Sequence, residues 1–350
     1  MSNKPLQVFL DANVVIQAGK PPGGPLFTRV VDLVKGGFIS VLTTDLTKME
    51  VSKKHAKNDF SVVKEVGRPH FRRIVKDLTA VELPDMTKDE IYNQLLEKYS
   101  GEIEKMFMSL GAKAFSIDSV KPSKVFGAYA NETGFFSGEG KKDQFPDAFI
   151  FECLKAEASE QKPVLIVSDD DDFTEPVKSE EHLSILKSIP DLFTQLGLQI
   201  DAPDLDDFLQ GHHDEALELV DAELKDWGLQ VSDVEDAEIE DTTVTEIEFL
   251  DLTSFGNAQK GGDILVVGRV RITADVSYTH PDWDTATYDS EDQVLHAFRD
   301  VSGETEIETD ADFSMSILAD SDGNPREIGE LRFMNDDFVW VEINPYKTYK

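Results

Sequence analysis

The sequence predicts two domains of different class: a three-layer α/β domain built on a parallel sheet, and then a mostly antiparallel β sandwich or barrel. In the first half of the 350-residue chain, short apolar runs alternate with helical patterns, which is typical of βα units. From Val244 onward, apolar and polar residues alternate as in half-buried strands. We therefore expect an α/β domain at residues 1–205, an acidic helical linker at 206–242 and an acidic all-β domain at 243–350.

The elements of the first half follow from the period of the apolar residues. Short runs of mostly apolar residues predict strands, those without a polar residue being typical of strands buried on both faces of a parallel sheet, and a 3.6-residue period predicts helices. Strands are predicted at Val8–Leu10, Phe38–Leu42, Pro163–Val167 and Leu198–Ile200, and helices at Phe27–Lys35, from Asp45, at Lys88–Phe107, from Pro146 and at Leu183–Leu196. This order favours right-handed crossovers between parallel strands.

The composition predicts a cytoplasmic protein that does not contact a membrane. Hydrophobic residues make up 40% of the chain, enough for buried cores. The single cysteine, Cys153, excludes a disulfide framework and a Cys-rich zinc site, which fits a reducing compartment. No apolar run reaches the roughly 18 residues that a membrane-spanning helix needs, and no secretory signal pattern is present.

The negative charge is concentrated in the second half. The whole chain carries a formal charge of −35; residues 1–205 contain 25 basic and 32 acidic residues, whereas 206–350 contain 9 and 37. A surface of this kind repels nucleic acid and membranes. We therefore expect the second half to bind a protein partner, to self-associate, or to inhibit the first half by imitating nucleic acid.

A long, mostly helical insert is predicted at about residues 53–138, and its front part is basic. The segment Lys53–Lys76 contains eight basic and two acidic residues. One interpretation is a solvated helix face, and the other is a patch that binds the phosphates of nucleic acid. The candidate phosphate-binding residues are Lys53, Lys54, Arg68, Arg72 and Arg73.

Acidic residues follow two predicted strands and begin two predicted helices. Asp11 and Asn13 come directly after the first strand, and Ser168 and a run of four aspartates, Asp169–Asp172, come after the third. Glu50 lies about one turn into its helix. Asp147 lies in the first turn of another helix, with Asp143 four residues earlier. Interpretations without a functional role are that Asp169–Asp172 form a solvated loop and that Asp147 stabilises the dipole of its helix.

These acidic positions are expected to converge. Strand carboxyl ends and the amino ends of the following helices share one edge of a doubly wound sheet. Carboxylates without cysteine or histidine favour Mg²⁺ or Mn²⁺ over Zn²⁺. A site of this kind suits phosphodiester hydrolysis.

At this point the first half resembles the PIN-domain family of metal-dependent nucleases, over about residues 5–202. The segments that carry the resemblance are Phe9–Asn13, Leu46–Glu50, Pro146–Ile150 and Val167–Phe173. The resemblance implies that Asp11, Glu50, Asp147 and Asp170 bind the metal. It also implies that Asn13 and Ser168 support these ligands and that Asp172 is an outer ligand. Asp143 remains open as an alternative to Asp147, and Asp169 as an alternative to Asp170.

The resemblance implies an endoribonuclease that uses Mg²⁺ or Mn²⁺ to cleave single-stranded RNA, with DNA as the other candidate substrate. It also implies a bacterial role in stress or defence, although the long insert departs from the small toxin-like members. A different hypothesis is a catalytically silent interaction protein that acts through the acidic β domain. An aspartyl-phosphate phosphatase is disfavoured, because its nucleophile motif requires a second aspartate where this chain has Asn13.

Overall fold

The structure divides the chain into two compact units, Met1–Leu198 and Gln199–Lys350. It is a computed structural model that describes residues 4–21, 23–137, 144–202, 205–257, 262–289, 294–297, 299–320, 323–335 and 337–344. Within these ranges, no helix combines the length and the apolar character needed to cross a membrane.

The first unit is built on a five-stranded sheet in which all strands are parallel. In chain order its elements are β1 (Leu6–Leu10), α1 (Ala12–Gln17), α2 (Pro25–Lys35), β2 (Ile39–Thr44), α3 (Asp45–Val63), α4 (Pro69–Thr79), α5 (Lys88–Ser109), β3 (Lys113–Phe115), α6 (Pro122–Ala130), α7 (Phe145–Glu157), β4 (Val164–Val167), α8 (Thr174–Lys178), β5 (Leu183–Leu186) and α9 (Ile189–Gln195). The strand order is β3-β2-β1-β4-β5. The predicted parallel α/β class is therefore confirmed.

The central strand β1 fixes the geometry of the functional edge. Its residues Val8, Phe9 and Leu10 are completely buried, as expected for a strand covered on both faces. In parallel register, Val8 pairs with Val41 of β2, and Leu10 pairs with Val167 of β4. The chain leaves β1 and β4 at the same edge, and the strand order reverses between these two strands. Such a switch point is where open α/β sheets place their ligand sites.

The predicted insert contains a strand as well as helices. Residues 113–115 form β3, which extends the sheet by pairing Leu42 with Lys113 and Thr44 with Phe115. A three-residue strand at the sheet edge has no recognisable period, so the sequence pattern could not separate it from the neighbouring helices.

The segment predicted as one helix at Leu183–Leu196 is a strand followed by a helix. Residues 183–186 form β5, which pairs in parallel with β4. The side chain of Ser188 then accepts a hydrogen bond from the backbone N–H of Asp191 at 3.2 Å and begins α9. This N-cap divides the segment, because a capping residue lies outside the helix that it starts.

A buried histidine between α3 and α5 makes the stability of the first unit dependent on pH. His55 stacks on Tyr99 with ring centroids 5.4 Å apart, and its Nε2 is buried without a hydrogen-bond partner. Burial lowers the pKa of His55 to about 4. Asp59 acts in the opposite direction, and three lysines, Lys20, Lys54 and Lys98, add to the lowering. Protonation of His55 therefore opposes folding.

We expect the free energy of unfolding to fall by about 2–3 kcal/mol through His55 as the pH drops from about 7.5 to about 4.5. The sign follows because, between the unfolded pKa near 6.5 and the folded pKa near 4, only the unfolded chain binds the proton. Urea titrations followed by far-UV circular dichroism at the two pH values measure the difference. The variant His55→Phe keeps the stacking and should lose this part of the pH dependence; an unchanged pH dependence in the variant would contradict the assignment.

The second unit is built on a long-stranded antiparallel sheet with the strand order β13-β12-β9-β8-β6. Its elements are β6 (Gln199–Ile200), α10 (Leu205–Gly211), α11 (His213–Trp227), β7 (Leu229–Val231), β8 (Glu238–Phe255), β9 (Ile264–Pro281), β10 (Thr287–Asp289), β11 (Val294–His296), β12 (Asp300–Ala319), β13 (Pro325–Phe333) and β14 (Val339–Val341). The predicted antiparallel β class is confirmed.

The segment 206–242, predicted as a linker, differs from that expectation. Helix α11 buries Ala216, Val220, Leu224 and Trp227 in the same hydrophobic core as the sheet, and β8 already begins at Glu238. Most of the acidic residues of α11 lie on its solvent side, so their high frequency in the sequence did not reveal that the other side of the helix packs in a core.

Candidate active site

Asp11 is a buried carboxylate held by its own helix and by the loop after β4. It follows β1 directly and is the N-cap of α1, where its Oδ1 accepts a hydrogen bond from the backbone N–H of Ala12 at 2.8 Å. Its Oδ2 accepts a hydrogen bond from the Ser168 hydroxyl at 2.6 Å. Both oxygens are thus fixed from the protein side, which sets the orientation of the carboxylate.

Ser168 forms hydrogen bonds with three residues at this edge of the sheet: Asp11, Asn13 and Asp170. Its side chain is completely buried. Besides donating to Asp11, its Oγ accepts hydrogen bonds from the backbone N–H of Asp170 at 3.1 Å and from the Asn13 side-chain amide at 3.4 Å. The structure therefore links Asn13, Ser168 and Asp11 by hydrogen bonds.

A second hydrogen-bonded chain links the loop after β4 to the start of α7. The Oδ1 of Asp170 accepts from the backbone N–H of Asp172 at 2.8 Å. The Oδ2 of Asp172 accepts from the Gln144 side-chain amide at 2.6 Å, and Gln144 is the N-cap of the helix that carries Asp147. Sequence reasoning missed Gln144, since a glutamine before Pro146 gives no signal of a contact with a residue 28 positions away.

Three of the four predicted ligands have raised pKa values, partly because of repulsion from the other predicted ligands. Burial raises the pKa of Asp11, and repulsion from Asp170 adds to the effect. The pKa of Glu50 is raised by desolvation of its carboxylate and then by repulsion from Asp11 and Asp170, although its side chain remains accessible to water. The pKa of Asp147 rises to about 7, first through burial and then through repulsion from Asp11, Glu50 and Asp170.

The pocket lacks a protein cation of its own in the part of the chain that the structure describes. There, no lysine or arginine forms an ion pair with Asp11, Glu50, Asp147 or Asp170, although the more distant charge of Lys53 slightly opposes the rise in the Glu50 pKa. Four hard oxygen donors, three of which have pKa values raised by burial and by the nearby carboxylates, fit a divalent cation such as Mg²⁺ or Mn²⁺ in chemical type. Among the described residues, however, no three of these side chains stand close enough to share one ion as placed.

The remaining acidic candidates lie outside this coupled group or beyond the described residues. Asp169 is exposed, and the Gln17 amide reaches its Oδ2 at 3.5 Å. Asp171 is paired with Lys187 at 2.5 Å, which lowers the pKa of Asp171. Of the two pairs of alternatives, the geometry thus favours Asp170 over Asp169. Asp143 lies outside the described residues.

Some residues of the predicted basic patch are exposed, and others form hydrogen bonds or ion pairs within the protein. Arg72, whose side chain is only 13% exposed, donates to the carbonyls of Val66 and Met86 at 2.9 Å each and pairs with Asp85. Its guanidinium therefore holds the chain between α4 and α5 together instead of facing a phosphate.

The other members of the patch lie along α3 and α4. Arg68 is paired with Glu65 at 2.8 Å, and Arg73 contacts His70 at 3.0 Å. Lys54 is partly buried. Lys53 is exposed and lies one turn after Glu50 on α3, which makes it the member of the patch nearest to the acidic pocket along that helix.

The comparison with protein families agrees with this geometry. Residues 8–173 match the family model of the PIN domain. The match begins in β1, ends at Phe173 after the aspartate run, and so includes every candidate ligand. A search of curated proteins gives no match to the chain. PIN domains are in general nucleases that use divalent metal ions. The first unit of the chain therefore contains a PIN-like α/β domain.

Proposed function

We propose that this protein is an endoribonuclease that hydrolyses phosphodiester bonds of single-stranded RNA with Mg²⁺ or Mn²⁺ held by Asp11, Glu50, Asp147 and Asp170. The observation that carries the proposal is the charge imbalance of the pocket. The pKa values of Asp11, Glu50 and Asp147 are raised by burial and by repulsion from the neighbouring carboxylates, and within the described chain no ion pair relieves this repulsion. A bound divalent cation is the usual relief for such a cluster.

Some residues of the chain would bind the metal, and others would orient the side chains that bind it. When bound, the metal would activate water and stabilise charge on the phosphate. Ser168 holds Asp11 by its Oδ2, and Asn13 holds Ser168, so these two side chains orient the most buried ligand. The Gln144–Asp172 hydrogen bond at 2.6 Å keeps the start of α7, and with it Asp147, beside the loop that carries Asp170. Glu50 is exposed on α3 and would complete the ligand set from the water-accessible side.

The preference for a nucleic-acid substrate follows from the family, and its approach is supported by charge. Lys53 lies one helical turn from Glu50 and is exposed, so it can contact a phosphate of a strand that enters the pocket from this side. We further propose that the acidic second unit contacts a protein partner or another copy of the chain, since like charge opposes contact with nucleic acid.

The test is cleavage of end-labelled single-stranded RNA and DNA by the full chain with Mn²⁺, Mg²⁺ or EDTA. We expect cleavage that requires the metal and that Asp11→Asn lowers by more than about a hundredfold, because one metal ligand and its charge are lost. Asp171→Asn is the matched control, since this exposed aspartate of the same loop is paired with Lys187 and should leave cleavage unchanged.

The competing function is a non-catalytic interaction protein, and one observation favours it: no three of the described carboxylates are placed to share one metal ion. Metal-independent cleavage, or equal cleavage by wild type and Asp11→Asn, would reject the proposed site. If neither the full chain nor a chain ending at Leu198 cleaved RNA or DNA with any metal, the interaction role would replace the nuclease role.

A further inference from the structure

Two half-exposed aromatic side chains lie on one face of α6, close in the fold to the acidic pocket. Phe126 is 55% exposed and Tyr129 is 38% exposed. They are three residues apart on the helix and therefore neighbours on its surface. Both rings rest on the ring of Phe145, with centroids 5.2 Å and 5.1 Å away. We refer to Phe126, Tyr129 and Phe145 as the aromatic platform.

The platform and the pocket share the first turn of α7. Phe145 is the first residue of that helix, and Asp147 follows two positions later. The preceding residue, Gln144, is hydrogen-bonded to Asp172 of the pocket. The first turn of α7 therefore connects the exposed rings, through Phe145, to Asp147 and to the loop that carries Asp170.

The packing of the first unit does not account for the exposed rings. The layer beneath them is already filled by Phe136, which is 3% exposed and contacts Phe145 with ring centroids 4.8 Å apart, and by the buried Val125. The outward faces of Phe126 and Tyr129 remain in water. Large apolar surfaces beside a polar pocket are typical of ligand-binding sites.

We propose that the aromatic platform stacks with a nucleobase of the single-stranded substrate, next to the phosphate that is cleaved. This inference rests on the proposed nuclease function and adds the feature that selects single strands. Bases of a single strand can leave their neighbours and stack on aromatic rings, whereas the bases of a duplex are already stacked. Stacking of this kind tolerates any base, so we expect little sequence preference from the platform itself.

A cation lies at the start of the same helix. Lys121 is the exposed N-cap residue of α6, and it forms no ion pair with any residue that the structure describes. The neighbouring Lys124 is paired with Glu152 at 3.2 Å. Lys121 is therefore the member of this pair that can neutralise a phosphate of a strand lying along α6.

The test measures binding of labelled single-stranded oligonucleotides, with and without abasic positions, by fluorescence anisotropy. All proteins carry Asp11→Asn so that the strand is not cut. We expect Phe126→Leu combined with Tyr129→Leu to weaken binding of the intact strand by at least about fivefold. We expect abasic positions to weaken binding to the parent protein but not to the double variant, because the leucines keep apolar packing and lose the stacking face.

Two controls separate stacking from a change in structure. Phe126→Tyr combined with Tyr129→Phe keeps both rings and should retain the discrimination against abasic strands. Phe38→Leu alters another exposed phenylalanine, 46% exposed and located before β2 at the opposite edge of the sheet, and should change nothing. In wild-type background, the leucine pair should raise KM for cleavage and leave kcat within about twofold.

If abasic positions weakened binding equally in the parent protein and in the double variant, the proposal that the aromatic platform stacks with a base would be wrong. If wild type still cleaved RNA with metal in that case, the proposed nuclease function would stand and only the platform would fall. If the parent protein bound no strand at all and wild type cleaved none, both would fall.

Discussion

Asp147→Asn is expected to lower cleavage by more than about a hundredfold and, in the same protein, to stabilise the metal-free fold. The two effects have one cause. The pKa of Asp147 is raised to about 7 by burial and by the nearby charges of Asp11, Glu50 and Asp170, so its ionised form is costly in the absence of a cation. Removing that charge relieves the repulsion but also removes a proposed ligand. Such an exchange of stability for function is common at active sites.

The sign of the pH dependence is fixed by the same pKa. Between the unfolded value near 3.8 and the folded value near 7, the folded state binds more protons than the unfolded state, so the stability of the wild type falls as the pH rises through this window. The full free-energy equivalent is about 4 kcal/mol, and relaxation of the pocket lowers it. We expect Asp147→Asn to gain about 1–2 kcal/mol at about pH 8 and almost nothing at about pH 4.

Thermal or urea unfolding of wild type and Asp147→Asn, in EDTA at the two pH values, measures this gain. Asp171→Asn is again the matched control, because that aspartate is exposed and its pKa is lowered by Lys187. Addition of Mn²⁺ should stabilise wild type much more than Asp147→Asn, since only a ligand that binds the folded state raises stability. A variant that is less stable than wild type at about pH 8 in EDTA would contradict the assigned repulsion.

The sequence was most informative where buried strands end in polar residues. The run before Asp11 and the run before Ser168 are apolar enough to predict central strands, and the shared edge of a parallel sheet then places their polar ends together. The Ser168–Asp11 hydrogen bond of 2.6 Å joins residues 157 positions apart, yet it follows from this topology. The position of Glu50 follows in the same way from α3, which comes directly after β2, and that of Asp147 follows from the first turn of α7, which leads into β4.

The sequence was least informative where the structure depends on contacts between distant residues whose local sequence has no clear period. Strand β3 has three residues and exists because it pairs with β2. Arg72 belongs to a basic run, but its guanidinium is engaged by two backbone carbonyls and Asp85, which no charge count can show. The acidic run Asp233–Asp241 predicts a linker at residues 206–242, whereas helix α11 of this segment buries four apolar residues in a core, which depends on its contacts with the sheet.

Glu223 on that helix carries the other large expected effect. Its side chain is 6% exposed. Its Oε1 accepts hydrogen bonds from the Trp227 indole N–H at 3.1 Å and from the backbone N–H of Phe333 at 3.0 Å, and its Oε2 accepts from Arg332 at 3.1 Å. One buried carboxylate thus joins α11 to the edge strand β13. Glu223→Ala would leave two buried donors without an acceptor and open a cavity.

We expect Glu223→Ala to destabilise the second unit by about 3–5 kcal/mol. The reporter is built into the chain, because all three tryptophans, Trp227, Trp283 and Trp340, lie in the second unit. Urea unfolding followed by tryptophan fluorescence therefore measures this unit, and RNA cleavage measures the first. Glu218→Ala, an exposed glutamate of the same helix, should stay within about 0.5 kcal/mol of wild type. A loss below about 1 kcal/mol for Glu223→Ala would show that water replaces the carboxylate. That result would mean that α11 is held to the sheet by its apolar face alone.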